Sequence, residues 1–374
     1  MTGQLSEPVT GFAEAHDDLR AVARRVLGAS APGEPQDWTP IAASGWPGLE
    51  VAAEFDGAGA TFAEVAVVLR EMGRALTHSP YASVTALTLP ALAAVTPNAA
   101  RDRLLRTTGA GAAVPIVVAG GDAKPPWGGS GGFVPFRIER RDDTVHLYGT
   151  TEFAADVTAA TTLLIPAREP DGSAVLVAVS PGSPGLAVTE QPILDATRTV
   201  GAVHAEDARV DAESVWHWTG PGPLRALFER AALATAIDSV GLAEAALEAT
   251  VTHVRTREQF GRPIGSFQAV KHACADMLVA LRIANRLVDA AVAAHVHGAA
   301  DAWIAVARAK SHACAVAVDI AGKAMQLHGG MGYTWESGIH RYLERATFNR
   351  ALFGSPAEHR AHLARRYREP DFTP

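Results

Sequence analysis

The second half of the chain carries the helical apolar period through segments far longer than ordinary helices. Leu224 to Arg255, Phe267 to His297 and Asp301 to Leu327 each sustain it, and His340 to Ala351 repeats it more briefly. The average helix is about 11 residues long, so stretches of this length bury their apolar faces best against one another, as an antiparallel bundle of long helices. The helical region is read as starting near Pro221 and ending near Arg366.

The first hundred residues are helical too. Between Phe62 and Leu76, Val65, Val68, Leu69 and Met72 fall at i, i+3, i+4 and i+7, one face of a helix. Ala82 to Ala94 is apolar almost throughout, which suits a helix buried in a bundle. Between these regions the pattern changes. Val114–Val118, Thr144–Tyr148, Thr161–Ile165 and Ala174–Val179 are short β-branched runs separated by Gly- and Pro-rich turns, the punctuation of a compact β domain. The expected organisation is a helical domain over 1–111, a β domain (barrel or sandwich) over 112–212 and a long-helix four-helix bundle over 213–374. No fixed-period repeat is present.

Charge and composition remove several classes of function. With 33 basic and 40 acidic residues the formal charge is −7, which argues against binding by phosphate neutralisation, so no nucleic-acid partner is expected. Hydrophobic residues at 48% and charged residues at 20% suit a globular chain. The two cysteines, Cys274 and Cys314, exclude a disulfide scaffold, form no zinc-type spacing with histidine, and are read as small buried hydrophobes. No apolar h-region follows Met1 and no window is long enough for a membrane span, so a cytoplasmic protein without a metal site is expected.

Two segments concentrate distinctive chemistry. In Arg255–Gln268, Gly261 and Pro263 break a long helix, and Ser266 is read as the N-cap of the next. Arg257 and Gln259 offer donors to an anion, Arg257 with a planar fork suited to pyrophosphate, while Phe260, Ile264 and Phe267 offer an apolar wall. A capped turn with a solvated basic end accounts for the same residues equally well. In Gln326–Tyr333, Gly329, Gly330 and Gly332 follow a long helix, either as a simple helix stop or as backbone open to a ligand, with Gln326 as a polar anchor. The Gly-rich Gly120–Gly132 stretch is read as a loop, because no Walker lysine follows it.

Together these segments resemble the acyl-CoA dehydrogenase family. Val240–Arg257, the Gln259-Phe-Gly-Arg-Pro-Ile264 turn with Phe267-Gln268, and Gln326-Leu-His-Gly-Gly-Met-Gly-Tyr333 are similar to its C-terminal domain. Gly45-Trp-Pro-Gly-Leu49, Glu54–Gly59 and Glu71–Leu76 are similar to its N-terminal domain. The resemblance implies an acyl-CoA dehydrogenase-like fold and a bound FAD. It further implies that Arg257, Gln259, Phe260, Ile264, Phe267 and Gln268, with Gln326 and Gly330, touch the dinucleotide of a neighbouring subunit. In this family a glutamate removes the α-proton of an acyl thioester while hydride leaves Cβ for the flavin, so protein supplies base and orientation.

The departures lie at the chemistry itself. Where the family has the glutamate of a Tyr-Glu-Gly-Thr segment, this chain has Leu352-Phe-Gly-Ser355, so Phe353 occupies the base position. The alternative base position on the preceding long helix falls at Ala231, and the arginine normally after it is Ala232. Glu229, two residues upstream, is the remaining candidate base, although it is rotated about 200° away on a helix. Glu344 and Glu358 flank the Phe353 region and are read as surface carboxylates. The Thr-Glu-Pro and Gly-Ser-Asp stretch used around the flavin is missing between Pro115 and Gly132, and Gly149-Thr-Thr-Glu-Phe153 lacks the tryptophan often found over the ring. Leu194–Arg198 is read as a structural turn.

Residues that grip a neighbour's FAD are thus present, while those acting on the chain's own substrate are absent. This inventory resembles a subunit of the α2β2 actinobacterial sterol side-chain acyl-CoA dehydrogenases, in which one subunit type lacks the base. The resemblance implies an acyl-CoA substrate, a paralogous subunit or a second copy as partner, and electron transfer flavoprotein as acceptor. A homomeric enzyme with a displaced base, a flavin-free acyl-binding homologue and an enzyme acting on carrier-protein thioesters remain open readings.

Overall fold

The computed structural model describes residues 10–28, 38–121, 134–141 and 144–368. Most of the Gly120–Gly132 loop lies outside the described residues.

The N-terminal helices are α1 (Thr10–Leu27), α2 (Trp38–Ala43), α3 (Phe62–Arg74), α4 (Tyr81–Ser83), α5 (Leu89–Ala93) and α6 (Ala99–Gly109). Helix α3 starts with a capping box: Thr61 Oγ1 accepts from the Ala63 amide at 3.1 Å, and Glu64 Oε2 accepts from the Thr61 amide at 2.8 Å. The single buried helix expected over Ala82–Ala94 forms, but a π-helical turn, Val84–Thr88, joins α4 to α5. Pro90 has no N–H to give to the turn before it, and the wider π spacing absorbs that missing bond.

Eight strands follow: β1 (Pro115–Val117), β2 (Phe136–Arg141), β3 (Thr144–Ala155), β4 (Thr162–Arg168), β5 (Ala174–Val179), β6 (Leu186–Gln191), β7 (Val200–Asp211) and β8 (Val215–His217). They make one sheet in the order β6-β7-β3-β2-β4-β5-β8, with β1 parallel to β4. Pairing is otherwise antiparallel except for a short parallel contact of β2 with β4.

The remaining elements are α7 (Pro223–Thr256), the two-residue strands β9 (Glu258–Gln259) and β10 (Arg262–Pro263), α8 (Gln268–Val296), α9 (Ala302–His328), α10 (Ile339–Ala351) and α11 (Pro356–Arg368). Helix α11 has no clear apolar period in the sequence and adds to the expected set. Helix α8 is N-capped by Phe267 without a side-chain bond, and Ser266 Oγ is buried with no partner, so the expected Ser266 cap does not form. Cys314 is buried and its Sγ lies 3.3 Å from Ser239 Oγ, but Cys274 is only half-buried because it faces the less covered side of α8.

Helices α3 and α7 cross backbone to backbone. A Cβ on Gly241 would stand 2.0 Å from the Arg70 carbonyl oxygen, and one on Gly73 would stand 2.2 Å from that of Asp238. Two hydrophobic cores result: one joins the N-terminal helices to α7–α10, and the other joins the sheet to α5, α6 and the start of α7. Phe353 packs against both. No helix among the described residues is long and apolar enough to cross a membrane.

Candidate functional site

At the seam between the two cores lies a cavity of only about 40 Å³, lined by Ala86, Ala231, Thr235, Asp238, Asn349 and Phe353 among others. The sequence positions for a general base therefore do converge in space, as Phe353 and Ala231. Phe353 holds a left-handed backbone, φ 52°, followed by Gly354 at φ 86°. Its ring meets Phe228 edge-on at 6.0 Å, and its carbonyl accepts from His359 Nε2 at 3.0 Å. Ala231 and Ala232 are fully buried.

None of the three carboxylates singled out in the sequence reaches this cavity. Glu229 sits off to the side, accepting from Arg225 Nε at 2.7 Å, and burial raises its pKa with Arg225 partly opposing. Glu358 is exposed and closes a capping box on α11, its Oε2 accepting from the Ser355 amide at 2.7 Å. Glu344 is not the surface carboxylate expected. It is half-buried with Oε2 unpartnered, and its pKa is raised by burial, with Asp195 adding to the rise and His340 opposing it.

The carboxylates that do line the cavity, Asp156 and Asp238, escape the sequence reading. Asp238 comes seven residues after Ala231, on the same face of α7, and that i+7 spacing in the otherwise uncharged stretch Ala231–Ala243 is the one signal that could have found it. Its Oδ1 accepts from Arg345 Nη2 at 3.1 Å and Arg198 Nη2 at 3.2 Å, and its Oδ2 accepts from Asn349 Nδ2 at 2.7 Å. Burial pushes the Asp238 pKa up, but Arg345 and Arg198 outweigh it and hold the group below the usual carboxylate range. Asp156 Oδ2 accepts from Ser83 Oγ at 2.6 Å, and burial raises its pKa against the pull of Arg198. Both carboxylates are engaged in structural bonds, and neither is a free proton acceptor. Leu194–Arg198 is indeed a turn: Asp195 Oδ1 accepts from the Thr197 amide at 2.9 Å, which delivers Arg198 into this network.

The second region is open. Helices α7 and α9 end side by side, where His253 and His328 stack with ring centroids 4.2 Å apart. Burial lowers the His253 pKa, assisted by His328 and Arg257. Two helix C-termini bring partial negative charge to this corner, so any anion held here depends on side-chain cations rather than helix ends. Arg257 caps α7, and Gln259 pairs with Arg262 across a two-residue hairpin turn. The turn residues Phe260 and Gly261 both have positive φ, 55° and 75°, the pattern of a type I′ turn. Phe260 is 91% exposed, an unusual setting for an aromatic ring on a left-handed backbone. Arg262 lies over the Phe267 ring, 4.1 Å from its centroid. Arg257, Gln259, Gln268 and Gln326 are exposed, while Ile264 and Phe267 are half-buried. Gly330 is exposed, and a Cβ there would meet nothing within 4 Å. All eight residues named from sequence thus stand on or beside the paired ends of α7 and α9. Among the described residues no cluster of three metal-ligating side chains occurs.

Helical domain, sheet and long-helix bundle meeting at one internal cavity define an acyl-CoA dehydrogenase type of fold. The chain matches the family models described as the acyl-CoA dehydrogenase N-terminal domain over residues 4–112 and C-terminal domain over residues 223–368. It is 32% identical over 314 residues to acyl-CoA dehydrogenase IpdE2 of Mycobacterium tuberculosis, covering 83% of this chain and 79% of that relative. Among solved structures it resembles a chain of the ChsE4-ChsE5 complex from Mycobacterium tuberculosis, with 25% identity, TM-score 0.83, and coverage of 96% of this chain and 98% of that one. A chain of a variant of the Tcur3481-Tcur3483 steroid ACAD is similar at 25% identity and TM-score 0.81, covering 96% and 99%. The chain belongs to the acyl-CoA dehydrogenase family.

Proposed function

We propose that this chain is a non-autonomous subunit of an FAD-dependent acyl-CoA dehydrogenase: it lacks the catalytic glutamate and completes an FAD site shared with a paralogous subunit. The observation that carries this reading is the contrast between its two regions. The cavity at Phe353 and Ala231 holds about 40 Å³, far below the roughly 300–1,000 Å³ of small-molecule sites. The surface at the ends of α7 and α9 is fully open. Its residues fit a dinucleotide: exposed guanidinium groups where two helix ends leave negative potential, an exposed aromatic ring, and a glycine backbone with free space in front of it.

Bound FAD would supply the hydride acceptor for Cβ of an acyl-CoA thioester. Toward that group Arg257 would neutralise pyrophosphate, Gln259, Gln268 and Gln326 would supply hydrogen bonds, and Phe260, Ile264 and Phe267 would cover its apolar parts. Gly330 would let backbone approach closely. The α-proton would be taken by a base of the partner subunit as that hydride leaves, the C–H electron pair at Cα becoming the new C=C bond. Similarity to a chain of a ChsE4-ChsE5 complex and to a steroid ACAD supports a two-chain assembly and a bulky sterol-type acyl-CoA. Electron transfer flavoprotein is the proposed acceptor.

The test is the visible spectrum of the protein, purified alone and co-expressed with a paralogous dehydrogenase. A colourless or inert lone chain that becomes yellow, and bleaches with acyl-CoA, only with its partner is the expected result. A yellow lone chain whose flavin band bleaches would overturn the reading and favour a displaced base. A flavin-free, stable homodimer that never acquires colour would favour the acyl-binding homologue.

A further inference from the structure

Helix α8 gives only one of its faces to the bundle. Met277, Leu281, Ala284, Val288 and Ala291 are buried there. On the opposite face Val279 and Ile283, one turn apart, are 60% and 49% exposed. Two aliphatic side chains held side by side in water are the kind of surface that a partner covers.

The order of residues along this face says which partner. Exposed positions pair off symmetrically about Leu281: Val279 and Ile283 lie two residues to either side, Asp276 and Arg286 five. Exposed His272 and Ala290 follow at nine residues, and exposed Ala269 and Ala293 at twelve. At about 100° per residue all of these fall within about 60° of the direction opposite Leu281, in a stripe about 36 Å long. The steps of three and four residues are those of a helix-pairing seam. Asp276 and Arg286 are free to pair outward, since neither side chain makes a hydrogen bond or ion pair with another described residue. Arg286 acts on Asp289, three residues on, only at longer range.

We infer that this face is a two-fold interface between two copies of this chain, α8 of one lying antiparallel to α8 of the other with the axis beside Leu281. In such a contact residue i meets j while j meets i. Val279 of each copy then meets Ile283 of the other at the centre, and Asp276 of each faces Arg286 of the other, closing two ion pairs. Alanines toward the ends let the helices approach. A parallel arrangement would set Asp276 against Asp276 and Arg286 against Arg286, so charge selects the antiparallel one. A partner of different sequence has no need of a face that mirrors itself; a second copy does. Two copies joined this way fit a two-plus-two assembly with a paralogue. The contact rests on neither flavin nor the shared-site reading, and it is tested on the lone chain, so either can fail alone.

Sedimentation equilibrium of the lone full-length chain tests it. Self-association with a dissociation constant in the micromolar range is expected, and Ile283→Asp should halve the mass of the assembled species. Arg286→Asp sets two carboxylates against two others and should weaken association about tenfold or more, as should Asp276→Arg with its opposed cations. Mixing these two charge variants should restore association, because each then carries the complement of the other, and Asp276→Arg with Arg286→Asp in one chain should restore it as well. All of these positions are exposed, and an unchanged thermal midpoint verifies that the variants fold. A chain that stays monomeric at about 100 μM would overturn the inference and leave the face to the paralogue. Association that persists in Ile283→Asp would overturn it by placing the contact elsewhere, and charge variants that fail to complement would overturn the antiparallel pairing.

Discussion

Asp238 of α7 and Arg345 of α10 meet through two hydrogen bonds, Nε to Oδ2 at 3.2 Å and Nη2 to Oδ1 at 3.1 Å, with the guanidinium wholly out of solvent. The same guanidinium donates to the Thr77 and Thr197 carbonyls at 3.1 and 3.0 Å, so one side chain ties N-terminal helices, sheet domain and bundle together. Breaking a buried pair from one side leaves an uncompensated charge. Arg345→Met should therefore cost on the order of 3–5 kcal/mol, seen as a large fall in the urea midpoint at pH 7. Asp238→Asn, which leaves two cations facing one carboxylate fewer, should also destabilise, and the double variant should be less damaged than the sum of the singles.

A matched pair of glycines tests the α3–α7 crossing. Gly241→Ala drives a methyl to 2.0 Å from the Arg70 carbonyl, so the helices must separate; overpacking of this kind costs about 1–3 kcal/mol. Gly322 lies within α9 with nothing within 4 Å of an added methyl, and Gly322→Ala should stabilise by about 0.5–1 kcal/mol through helix propensity. Chemical denaturation of the two variants under one condition reads the opposite signs.

The same contrast between pattern and packing explains what is legible in the sequence. The long helices are readable because their buried faces are Leu, Val, Ile and Ala at helical spacing. Strand β7 is not: its buried positions mix Val200, Val203 and Val210 with the small Gly201, Ala205 and Ala208, and the two-residue alternation slips between Ala205 and Ala208, where Asp207 takes φ 56°. Helix α11 hides for a related reason, since its buried residues are Pro356, His359 and His362 rather than aliphatic ones. The surface at the ends of α7 and α9 comes from short contiguous runs of sequence and can be named residue by residue. The Asp238–Arg345–Arg198 network cannot, because its members come from three distant segments and only the fold selects the pairing.

Those buried histidines set a pH dependence. Burial holds His359 down to about 3, with the Phe353 carbonyl opposing and Lys310 assisting, and holds His362 and His295 at about 4 with nearby arginines assisting. Each folded pKa lies below the unfolded value near 6.5, so below about pH 6.5 the unfolded chain takes up protons that the native state refuses. Their stabilising contribution is complete above pH 6.5 and falls as pH drops toward 4, with a slope of up to about 1.4 kcal/mol per pH unit per group. Urea midpoints between pH 7 and 4.5 should decline, and His359→Gln, which removes one titrating group, should flatten the decline. An unchanged slope would exclude His359 as a contributor.

Phe260 separates stability from assembly. A left-handed backbone costs a residue with a Cβ roughly 1–2 kcal/mol, and this ring recovers little by packing because it projects into solvent. Phe260→Gly should therefore leave the lone chain as stable or more stable, by about 1 kcal/mol, while lowering flavin retention in the co-expressed complex. Thermal melting of the lone chain and flavin-to-protein absorbance of the complex check the two halves. Loss of stability in the lone chain would mean that the ring serves the fold.

On the proposed reading, placing a carboxylate at position 353 should not create chemistry. Phe353→Glu places an acid where the sequence resemblance puts the family's base, but it lands against the Phe228 ring in a cavity of about 40 Å³, between Ala231 and the paired Asp238. Burial there raises the new carboxyl's pKa, the lost aromatic packing destabilises the seam between the two cores, and no room exists for an acyl chain beside it. The expected outcome is a protein that melts earlier and, alone or flavin-loaded through its partner, shows no added acyl-CoA-dependent bleaching attributable to this chain. A partner whose own base is replaced by glutamine makes the readout clean: bleaching that returns with Phe353→Glu in that background would show that the cavity opens to substrate, and that the absence of a base alone, rather than closure of the site, keeps this subunit silent.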